Sequence, residues 1–401
     1  MVVDVAVVGA GAFGLSTALH CALRGASVAV VERRSAGSQA SGRAAGLFKS
    51  IQADEFRTGL ARRSIDKICT FADWAGVPVE VMRSGSVMVA RTEQYARILE
   101  VEATRSRGWG VDVEPLGPSV LDERVSYYRP SGGESAVWCP GDVYVEEPGD
   151  VIDAYVVACR ARGVEVLEGE PVVAITTTAG QVDGLETAVR RIRTRVVVDA
   201  AGAWSRMVGE LADADVAVAP TRHQLLITEP SVDVASTDPI TRIIDAASYL
   251  RPARGGLMFG GFEFDPLAVD PRRHGPDFDT DDVPLDLARL HQMAEEFVDE
   301  APLARQGRVV DHRAGMFTMT PDGRFVIGPV PQPAGFWVAS GCNGSGFSMS
   351  LALGAGLADW IVDGQPPAGF DTLAPGRFGM ISDDALAEKG LWYYSHYYDT
   401  D

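Results

Sequence analysis

The first thirty residues carry two short runs of small apolar residues that flank a stretch of helical length. Residues 5–8 and residues 28–31 both read Val-Ala-Val-Val, and the stretch between them continues through Cys21 and Leu23. Short runs rich in valine are typical of buried strands. The pattern therefore predicts a strand, a helix and a second strand, which together form one βαβ unit.

The turn that leads into the predicted helix holds glycine at three spaced positions. Gly9 permits a tight turn, Gly11 lets backbone N–H groups approach a pyrophosphate, and Gly14 lets the helix pack close to its strand. The positive N-terminal end of the helix then faces phosphate oxygens. Glu32 ends the second strand, where a carboxylate accepts hydrogen bonds from ribose hydroxyls and repels a 2′-phosphate. The motif predicts FAD or NAD in preference to NADP, with an ordinary tight turn as the alternative.

Beyond this unit the hydrophobic pattern predicts further elements along the whole chain. Helices are predicted over residues 57–74, 94–107, 148–162 and 285–297, and from the 341–348 stretch to residue 363. Strands are predicted over residues 85–90, 164–167, 171–175, 221–228, 249–252 and 256–262, with a hairpin at 180–187. Because 401 residues exceed the usual size of one compact core, we expect two lobes.

Composition and charge narrow the class of protein. The 46% hydrophobic content supports a sizeable interior, but no apolar run reaches the roughly 18 residues that a membrane span needs. We therefore expect a soluble, cytoplasmic protein. The formal net charge of −19 opposes nucleic-acid binding, since phosphate contacts need clustered Lys and Arg. The cysteines form no C-x-x-C pair, which argues against a disulfide framework and a zinc site: Cys21, Cys69, Cys139, Cys159 and Cys342.

Four further stretches are marked by small residues. Residues 35–47 would let backbone lie against a flat ligand, a flexible surface loop being the alternative. Residues 194–205 are an apolar strand that runs into Ala-Gly-Ala, which indicates a second approach to the dinucleotide or a plain strand-to-helix turn. Residues 312–323 and 341–348 are also marked by glycine, and the latter stretch opens a long helix.

The N-terminal motif, residues 196–205, Thr320–Gly323 and residues 341–348 occur in an order that resembles the D-amino-acid oxidase superfamily of flavoproteins. Within it, the chain looks most like the branch of sarcosine oxidase, glycine oxidase and dimethylglycine dehydrogenase. The resemblance covers nearly the whole chain except the tail after about Gly379. It implies FAD and an α/β fold (α+β overall), in which a Rossmann-like FAD-binding domain of glutathione-reductase type carries an inserted substrate domain built on a mixed β-sheet.

The resemblance also implies how two domains divide the chain. The FAD-binding domain is expected from residues 1–85, 148–215 and 310–378. The substrate-binding domain is expected from residues 86–147 and 216–309, and residues 379–401 form a C-terminal tail. The tail, which is rich in aromatic residues, is predicted to pack as an ordinary terminal segment. Its alternatives are a position over the pocket or against a neighbouring subunit.

A set of FAD-binding positions carries over from the family residue by residue. Those around the ADP part, the pyrophosphate and the neighbouring loop are Gly9, Gly11, Ala12, Phe13, Gly14, Glu32, Arg33, Ser41, Arg43, Ala44, Ala45, Val172, Ala201, Gly202 and Trp204. Those around the isoalloxazine ring are Gly315, Met316, Gly344, Ser345, Gly346, Phe347 and Ser348. Helix N–H groups beside the ring would stabilise negative charge on the flavin.

Departures from the family bear on how FAD is held and reoxidised. Sarcosine oxidases attach the flavin to a cysteine where this chain has Gly315, and dimethylglycine dehydrogenases use a histidine where it has Arg43. We therefore predict non-covalent FAD. Sarcosine oxidases place a lysine for oxygen activation at the position of Met258, where glycine oxidase also has methionine. The choice between O2 and another electron acceptor stays open.

The substrate side is predicted from a further set of matched positions. The candidates for catalysis are Lys49, Tyr249, Met258 and Phe317, and those for substrate binding are His223, Arg251, Phe262 and Ser348. Core packing is the alternative for the aromatic residues, a structural hydrogen bond is the alternative for the histidine, and a solvated surface position is the alternative for Lys49. Phe317 and Ser348 occur where relatives place cationic partners of a substrate carboxylate. We therefore expect an amine larger or more apolar than glycine or sarcosine, unless Lys49 or Arg251 binds a carboxylate.

Together these features predict an FAD-dependent oxidoreductase that oxidises a C–N bond of a secondary or tertiary amine or an amino-acid derivative. A hydride would pass to flavin N5, and the resulting imine would hydrolyse. Oxidation of a 2-hydroxy acid and a catalytically silent flavin-binding protein are the alternatives. The expected partners are a small-molecule amine and O2 or another electron acceptor, with no nucleic acid, membrane or metal ion. The oligomeric state stays open.

Overall fold

The computed structural model describes residues 1–399. In chain order the strands are β1 Val5–Val8, β2 Val28–Glu32, β3 Leu47–Phe48, β4 Ser86–Ala90, β5 Glu114–Leu116, β6 Ser135–Cys139, β7 Val143–Tyr144, β8 Glu165–Glu168, β9 Val172–Thr178, β10 Gln181–Thr187, β11 Arg191–Arg193, β12 Val197–Asp199, β13 Ala219–Thr228, β14 Ile240–Ile243, β15 Ser248–Ala253, β16 Gly256–Gly261, β17 Val309–Met319, β18 Val326–Pro329 and β19 Phe336–Ser340. The helices are α1 Ala12–Leu23, α2 Glu55–Cys69, α3 Phe71–Ala75, α4 Glu93–Gly108, α5 Pro118–Arg124, α6 Pro148–Ala161, α7 Ser205–Glu210, α8 Leu287–Glu295, α9 Pro302–Gln306, α10 Gly346–Asp363 and α11 Asp383–Ser395. Within residues 1–399, none of these helices combines the length and apolar character that crossing a membrane requires.

A six-stranded sheet in the order β18-β19-β12-β1-β2-β8 contains the start of the chain. Its strands are parallel except for β18, which is antiparallel to β19. The predicted βαβ unit is confirmed, because β1 pairs with β2 in parallel and places Val7 opposite Val30. Val5 and Val7 pack in the core that includes α1 and α10, whereas Ala6 and Val8 pack against the three-stranded sheet β9–β11. Both faces of β1 are therefore buried, which explains its continuous apolar run.

A mixed eight-stranded sheet in the order β17-β13-β16-β15-β14-β4-β6-β5 forms the second unit. Strands β14 and β4 pair in parallel, and the other neighbouring strands pair antiparallel. One face of this sheet packs against α8 and the residues that follow it, through Phe259, Leu290 and Phe297. The other face carries His223 and Tyr249 towards the six-stranded sheet. The expected α/β class with a mixed sheet is confirmed.

One predicted helix differs in the structure, and the pairing of strand β17 bears on the expected domain division. The single helix predicted over residues 57–74 is two helices, α2 and α3, which are separated at Thr70. The hydroxyl of Thr70 donates to the carbonyl of Asp66 at 2.7 Å, and such a side-chain bond to the preceding turn competes with helix continuation. Strand β17, which the expected boundary at residue 310 places with the FAD-binding domain, pairs along its length with β13 of the eight-stranded sheet.

The face of the eight-stranded sheet that carries His223 and Tyr249 is called its inner face. The C-terminal segment packs over this inner face. Helix α11 contributes Leu386 and Tyr394 to a cluster with Phe262 and Met319, and Tyr397 packs against the same cluster. Tyr398 lines the main cavity described below, so of the alternatives for the aromatic tail the position over the pocket is observed at its end. Residues 400 and 401 lie outside the described part of the chain.

Candidate active site

A cavity of about 460 Å³ lies between the carboxyl edge of the six-stranded sheet and the inner face of the eight-stranded sheet. At one end its walls come from the turns after β1, β2 and β12, within residues 8–13, 31–33 and 200–204. At the other end they come from β17 and the start of α10, within residues 315–318 and 342–348. Ligands of parallel α/β sheets bind at this carboxyl edge, so the cavity lies where the fold favours a cofactor.

Most of the predicted site residues line this cavity. The predicted cofactor positions in its walls are Gly9, Gly11, Ala12, Phe13, Glu32, Arg33, Ser41, Arg43, Ala44, Ala45, Val172, Ala201, Gly202, Trp204, Gly315, Met316, Gly344, Gly346, Phe347 and Ser348. The predicted substrate-side positions in its walls are Lys49, His223, Tyr249, Phe262, Phe317 and Ser348. Gly14 lies behind the glycine turn, and Ser345 lines a second, adjoining cavity.

The glycine turn between β1 and α1 leaves no room for side chains. Gly9 has a φ of +105°, and a Cβ there would lie 2.5 Å from the carbonyl oxygen of Ala200. A Cβ on Gly14 would lie 1.9 Å from the carbonyl oxygen of Gly9. Both separations are far inside van der Waals contact, so glycine at position 9 lets this turn pack against the turn after β12, and glycine at position 14 lets α1 approach the end of β1. This approach brings the N terminus of α1, an anion-binding feature, to the cavity wall.

Glu32 ends β2, and backbone groups hold its carboxylate in place. Oε2 accepts a hydrogen bond from the N–H of Ala10 at 2.9 Å, and Oε1 accepts one from the N–H of Arg34 at 2.9 Å. The residue is 8% exposed and lines the cavity. Each carboxylate oxygen keeps acceptor capacity for a further donor such as a ribose hydroxyl. Beside it, the Arg33 guanidinium lies 3.9 Å over the ring of Trp204, a cation–π contact that closes this end.

The opposite end is framed by β17 and the loop that leads into α10. The N–H of Thr318 donates to Sγ of Cys342 at 3.2 Å, and the N–H of Cys342 donates to Oγ1 of Thr318 at 2.8 Å. This reciprocal pair holds the loop against β17. Helix α10 begins at Gly346, which lines the cavity together with Phe347. The first N–H groups of a helix lack partners within it, so this end offers donors to a ligand.

His223 connects two tyrosine hydroxyls on the inner face of the eight-stranded sheet. Its Nδ1 lies 2.8 Å from the hydroxyl of Tyr394, and its Nε2 lies 2.9 Å from that of Tyr249. The imidazole stacks on Phe317 with the ring centroids 4.2 Å apart. Burial lowers the pKa of His223 to about 3, and the nearby charge of Lys49 adds to the effect. The imidazole is therefore neutral near pH 7, with one nitrogen as donor and the other as acceptor.

Lys49 and Tyr397 form a hydrogen-bonded pair at the same end of the cavity. Nζ of Lys49 donates to Oη of Tyr397 at 2.6 Å, and Oη also lies 3.2 Å from the hydroxyl oxygen of Ser345. The ring of Tyr397 stacks on Phe262 with the centroids 3.8 Å apart. Burial lowers the pKa of Lys49. Burial opposes ionisation of Tyr397, but the adjacent Lys49 outweighs it and holds the pKa of Tyr397 below its ordinary value.

Two predicted substrate-side residues lie outside the cavity walls. Arg251 donates to the carbonyl oxygens of Ala45, Glu146 and Pro252 at 2.8, 2.9 and 2.6 Å. Its guanidinium therefore ties neighbouring loops to β15 and does not face the cavity. Met258 is fully buried in a small apolar cluster.

The end of the cavity that holds His223, Phe262 and Phe317 is called the aromatic end. Several residues that the sequence did not single out complete it. Arg242 and Tyr398 line the cavity, and Tyr394 and Tyr397 contact residues that line it. The tail was visible in the sequence as an aromatic segment, but nothing in β14 distinguishes Arg242 from other arginines. Arg242 reaches the site through strand register, because it lies opposite Tyr249 across β14 and β15 and so shares its face of the sheet.

Comparison with known proteins shows similarity to FAD-dependent oxidoreductases. The DAO family, described as FAD dependent oxidoreductase, matches residues 4–360. The chain is 26% identical over 394 residues to the mitochondrial dimethylglycine dehydrogenase of Rattus norvegicus, covering 96% of this chain and 46% of that protein. It is 26% identical to the glycine oxidase of Geobacillus kaustophilus (strain HTA426), covering 89% of this chain and 92% of that protein. The structure matches that of L-proline dehydrogenase from P. horikoshii with a TM-score of 0.83 at 23% identity, covering 94% of this chain and 97% of that one. The chain thus spans about half the length of the mitochondrial relatives it matches.

Proposed function

The chain belongs to the DAO family of FAD-dependent oxidoreductases, and from that premise we propose that it oxidises the C–N bond of a secondary or tertiary amine or an amino-acid derivative. The observation that carries the proposal is one cavity that joins the glycine turn at α1 to a pocket walled by aromatic rings. Such a cavity has room for a dinucleotide at one end and a small, largely apolar substrate at the other.

FAD is the cofactor of the family, and the residues at the sheet edge fit it. The glycine turn permits the close backbone approach that a pyrophosphate needs, and the fixed carboxylate of Glu32 offers acceptors to ribose hydroxyls. Residues 315–317 and the start of α10 would hold the isoalloxazine ring. When bound, FAD supplies the hydride acceptor for oxidation of the amine.

We propose that FAD is held without a covalent bond. Gly315 has no side chain to attach, and Arg43 is otherwise engaged, since its Nη2 lies 2.7 Å from a carboxylate oxygen of Asp281 and its Nε donates to the carbonyl of Ser38. Acid precipitation should leave the yellow colour in the supernatant. Colour that stays with the precipitated polypeptide would contradict the proposal.

The aromatic end would bind and orient the amine. Phe262 and Phe317 offer apolar surface against which the alkyl groups of a substrate lose contact with water. The hydroxyl of Tyr249 and the neutral imidazole of His223 form a polar pair that fixes the direction of the substrate nitrogen. Excluding water and holding the reacting carbon in one orientation supply much of the rate enhancement in such a reaction.

The test is anaerobic mixing of the FAD-loaded protein with a panel of amines, amino acids and 2-hydroxy acids, followed at the flavin absorbance band. We expect amines to bleach the band and to release an aldehyde or a smaller amine. A keto acid formed from a 2-hydroxy acid without amine release would indicate C–O oxidation instead. Absence of bleaching by every compound would favour the silent flavin-binding alternative.

We further propose that the preferred amine is larger or more apolar than glycine or sarcosine. Phe317 and Ser348 supply no cation beside the reacting centre, so the smallest amino acids lack their usual carboxylate partners there. Steady-state kcat/KM should therefore rise with N-alkyl size, and sarcosine or glycine as the best substrate would contradict this. Hydrogen peroxide release in air would identify O2 as the acceptor, and its absence would favour another acceptor. The cytoplasmic location stays a prediction.

A further inference from the structure

A second cavity of about 240 Å³ adjoins the first one. The two share Lys49, Arg242, Cys342 and Tyr398 in their walls, and two of these four side chains are cationic. Asp54, Arg57 and Glu102 are among the other residues that line the second cavity, and Arg57 is paired with Asp54 at 3.2 Å.

Arg242 is buried, yet two of its three guanidinium nitrogens have no hydrogen-bond acceptor within residues 1–399. Its side chain is 2% exposed, and neither Nε nor Nη2 has a hydrogen-bond partner among residues 1–399. Oδ2 of Asp142 lies 3.8 Å from Nη2, which is within ion-pair range but beyond hydrogen-bond distance. A buried donor without an acceptor costs free energy, and the cost is larger for a charged group.

Asp142 is held in place by other donors. Its Oδ1 accepts hydrogen bonds from the N–H and the hydroxyl of Ser50 at 2.7 and 2.5 Å, and its Oδ2 accepts one from the hydroxyl of Ser86 at 2.5 Å. Movement of this carboxylate towards Arg242 would disrupt those bonds. Asp142 therefore compensates part of the charge of Arg242 without accepting a hydrogen bond from Nη2.

Lys49 supplies a second positive charge on the same shared wall. One of the three N–H groups of its ammonium donates to Tyr397. Burial and the neighbouring Arg242 oppose the charged form of Lys49 and lower its pKa, whereas the Tyr397 hydroxyl and the Glu102 carboxylate favour that form. An anion between the two cations would relieve their mutual repulsion and accept hydrogen bonds from both.

We propose that Arg242 and Lys49 bind a carboxylate of the substrate in the wall shared by the two cavities. The proposal rests on the amine oxidation proposed above and narrows its substrates to amino acids whose carboxylate is separated from the reacting C–N bond by a spacer. A planar guanidinium pairs with a carboxylate through two parallel hydrogen bonds, which suits the free edge of Arg242. The site differs from the positions of Phe317 and Ser348, so it is not a clamp for the carboxylate of the smallest α-amino acids.

The test measures binding of two redox-inert probes, pentanoate and its uncharged isostere pentanamide, to the FAD-loaded protein by isothermal titration calorimetry. We expect pentanoate to bind about 10-fold more tightly or better, the ratio expected for at least one charge-assisted pair. Arg242→Met should abolish the preference, Arg242→Lys should keep part of it, and Lys49→Met should reduce it several-fold. Arg97→Met, which removes an exposed arginine paired with Glu93, is the matched control and should keep the full preference.

Equal affinity of the unmodified protein for the two probes would overturn the proposal, and so would an undiminished preference in Arg242→Met. If Arg242→Met fails to fold, the comparison in the unmodified protein and the Lys49→Met variant decide. Probe binding does not require turnover, so the two proposals can fail separately. Amine oxidation without a carboxylate preference would refute this site alone, whereas a preference without oxidation of any amine would refute the proposed function.

Discussion

The two ends of the main cavity are built from different parts of the chain. At the sheet edge the backbone decides the geometry, because a side chain at Gly9 or Gly14 would collide with neighbouring carbonyl oxygens and two backbone N–H groups hold the Glu32 carboxylate. At the aromatic end the walls are side chains from separate strands and from the tail, such as His223 and Tyr398. The sheet-edge end has a backbone geometry that accepts a dinucleotide and depends on glycine. At the aromatic end, by contrast, substitution of side chains can change the shape and the charge of the cavity.

This comparison predicts that substitutions at the two ends have separable effects. A change in the backbone turn should remove the cofactor, because neighbouring backbone cannot yield to an added atom. A change among the aromatic side chains should alter stability and substrate choice while FAD remains bound. Four substitutions test this separation, from the largest expected effect to the smallest.

Gly14→Ala should cause the largest loss. The new Cβ would lie 1.9 Å from the carbonyl oxygen of Gly9, so α1 must move away from β1. We expect loss of bound FAD after gel filtration and a decrease of about 3 kcal/mol in the free energy of unfolding. Gly149→Ala in α6 is the control, because a Cβ there meets nothing within 4 Å. Normal FAD content in Gly14→Ala would refute the backbone account.

Phe262→Ala should destabilise the fold without removing the cofactor. Phe262 is 5% exposed and stacks on Tyr397, so its loss leaves a cavity in the aromatic cluster. We expect urea unfolding to show a decrease of about 3 kcal/mol, while the dissociation constant of FAD changes little. Phe264→Ala, at a residue that is 62% exposed, should leave both quantities unchanged. A loss of FAD equal to that of Gly14→Ala would contradict the separation of the two ends.

Glu32→Gln should weaken FAD binding specifically. The amide keeps the size of the side chain but loses the charge and one acceptor that would face the ribose. We expect the dissociation constant of FAD to rise by about 10- to 100-fold, or about 1.5–3 kcal/mol for a hydrogen bond to a charged group. Glu168→Gln is the matched control, because Glu168 lies opposite Glu32 in the β2–β8 register but does not line the cavity. Equal effects of the two variants would argue against a ribose contact.

His223→Gln should change how stability depends on pH. Burial lowers the pKa of His223 to about 3, so below an unfolded value of about 6.5 the unfolded chain takes up a proton that the folded chain does not. The contribution of the neutral His223 to the free energy of unfolding is therefore fully present above pH 6.5 and decreases as the pH falls. The free energy of unfolding is lower by about 1.4 kcal/mol at pH 5.5 for this reason. Urea unfolding at pH 7.5 and pH 5.5 should show a smaller loss in His223→Gln than in the unmodified protein. The same pH dependence in the variant and in the unmodified protein would refute a neutral, buried imidazole. His274→Gln is the control, because His274 is exposed.

The cofactor end could be predicted well because its signals are local. The family and FAD were predicted correctly from four short motifs, and positions as far apart as Val172 and Gly315 line the cavity. The substrate end was predicted less completely. Among its arginines the sequence favoured Arg251, whose donors are engaged by backbone carbonyls, and did not single out Arg242 on the adjacent strand.

The sequence by itself determined the βαβ unit, the dinucleotide turn and the family, because these depend on backbone constraints within short contiguous stretches. Only the tertiary structure decided that the tail lies over the pocket and that Arg242 lines it. The contacts concerned join residues far apart in the chain: Lys49 and Tyr397 are separated by 348 positions, and His223 and Tyr394 by 171. Such pairs form through strand register and packing between distant segments, which no local pattern of apolar and polar residues encodes.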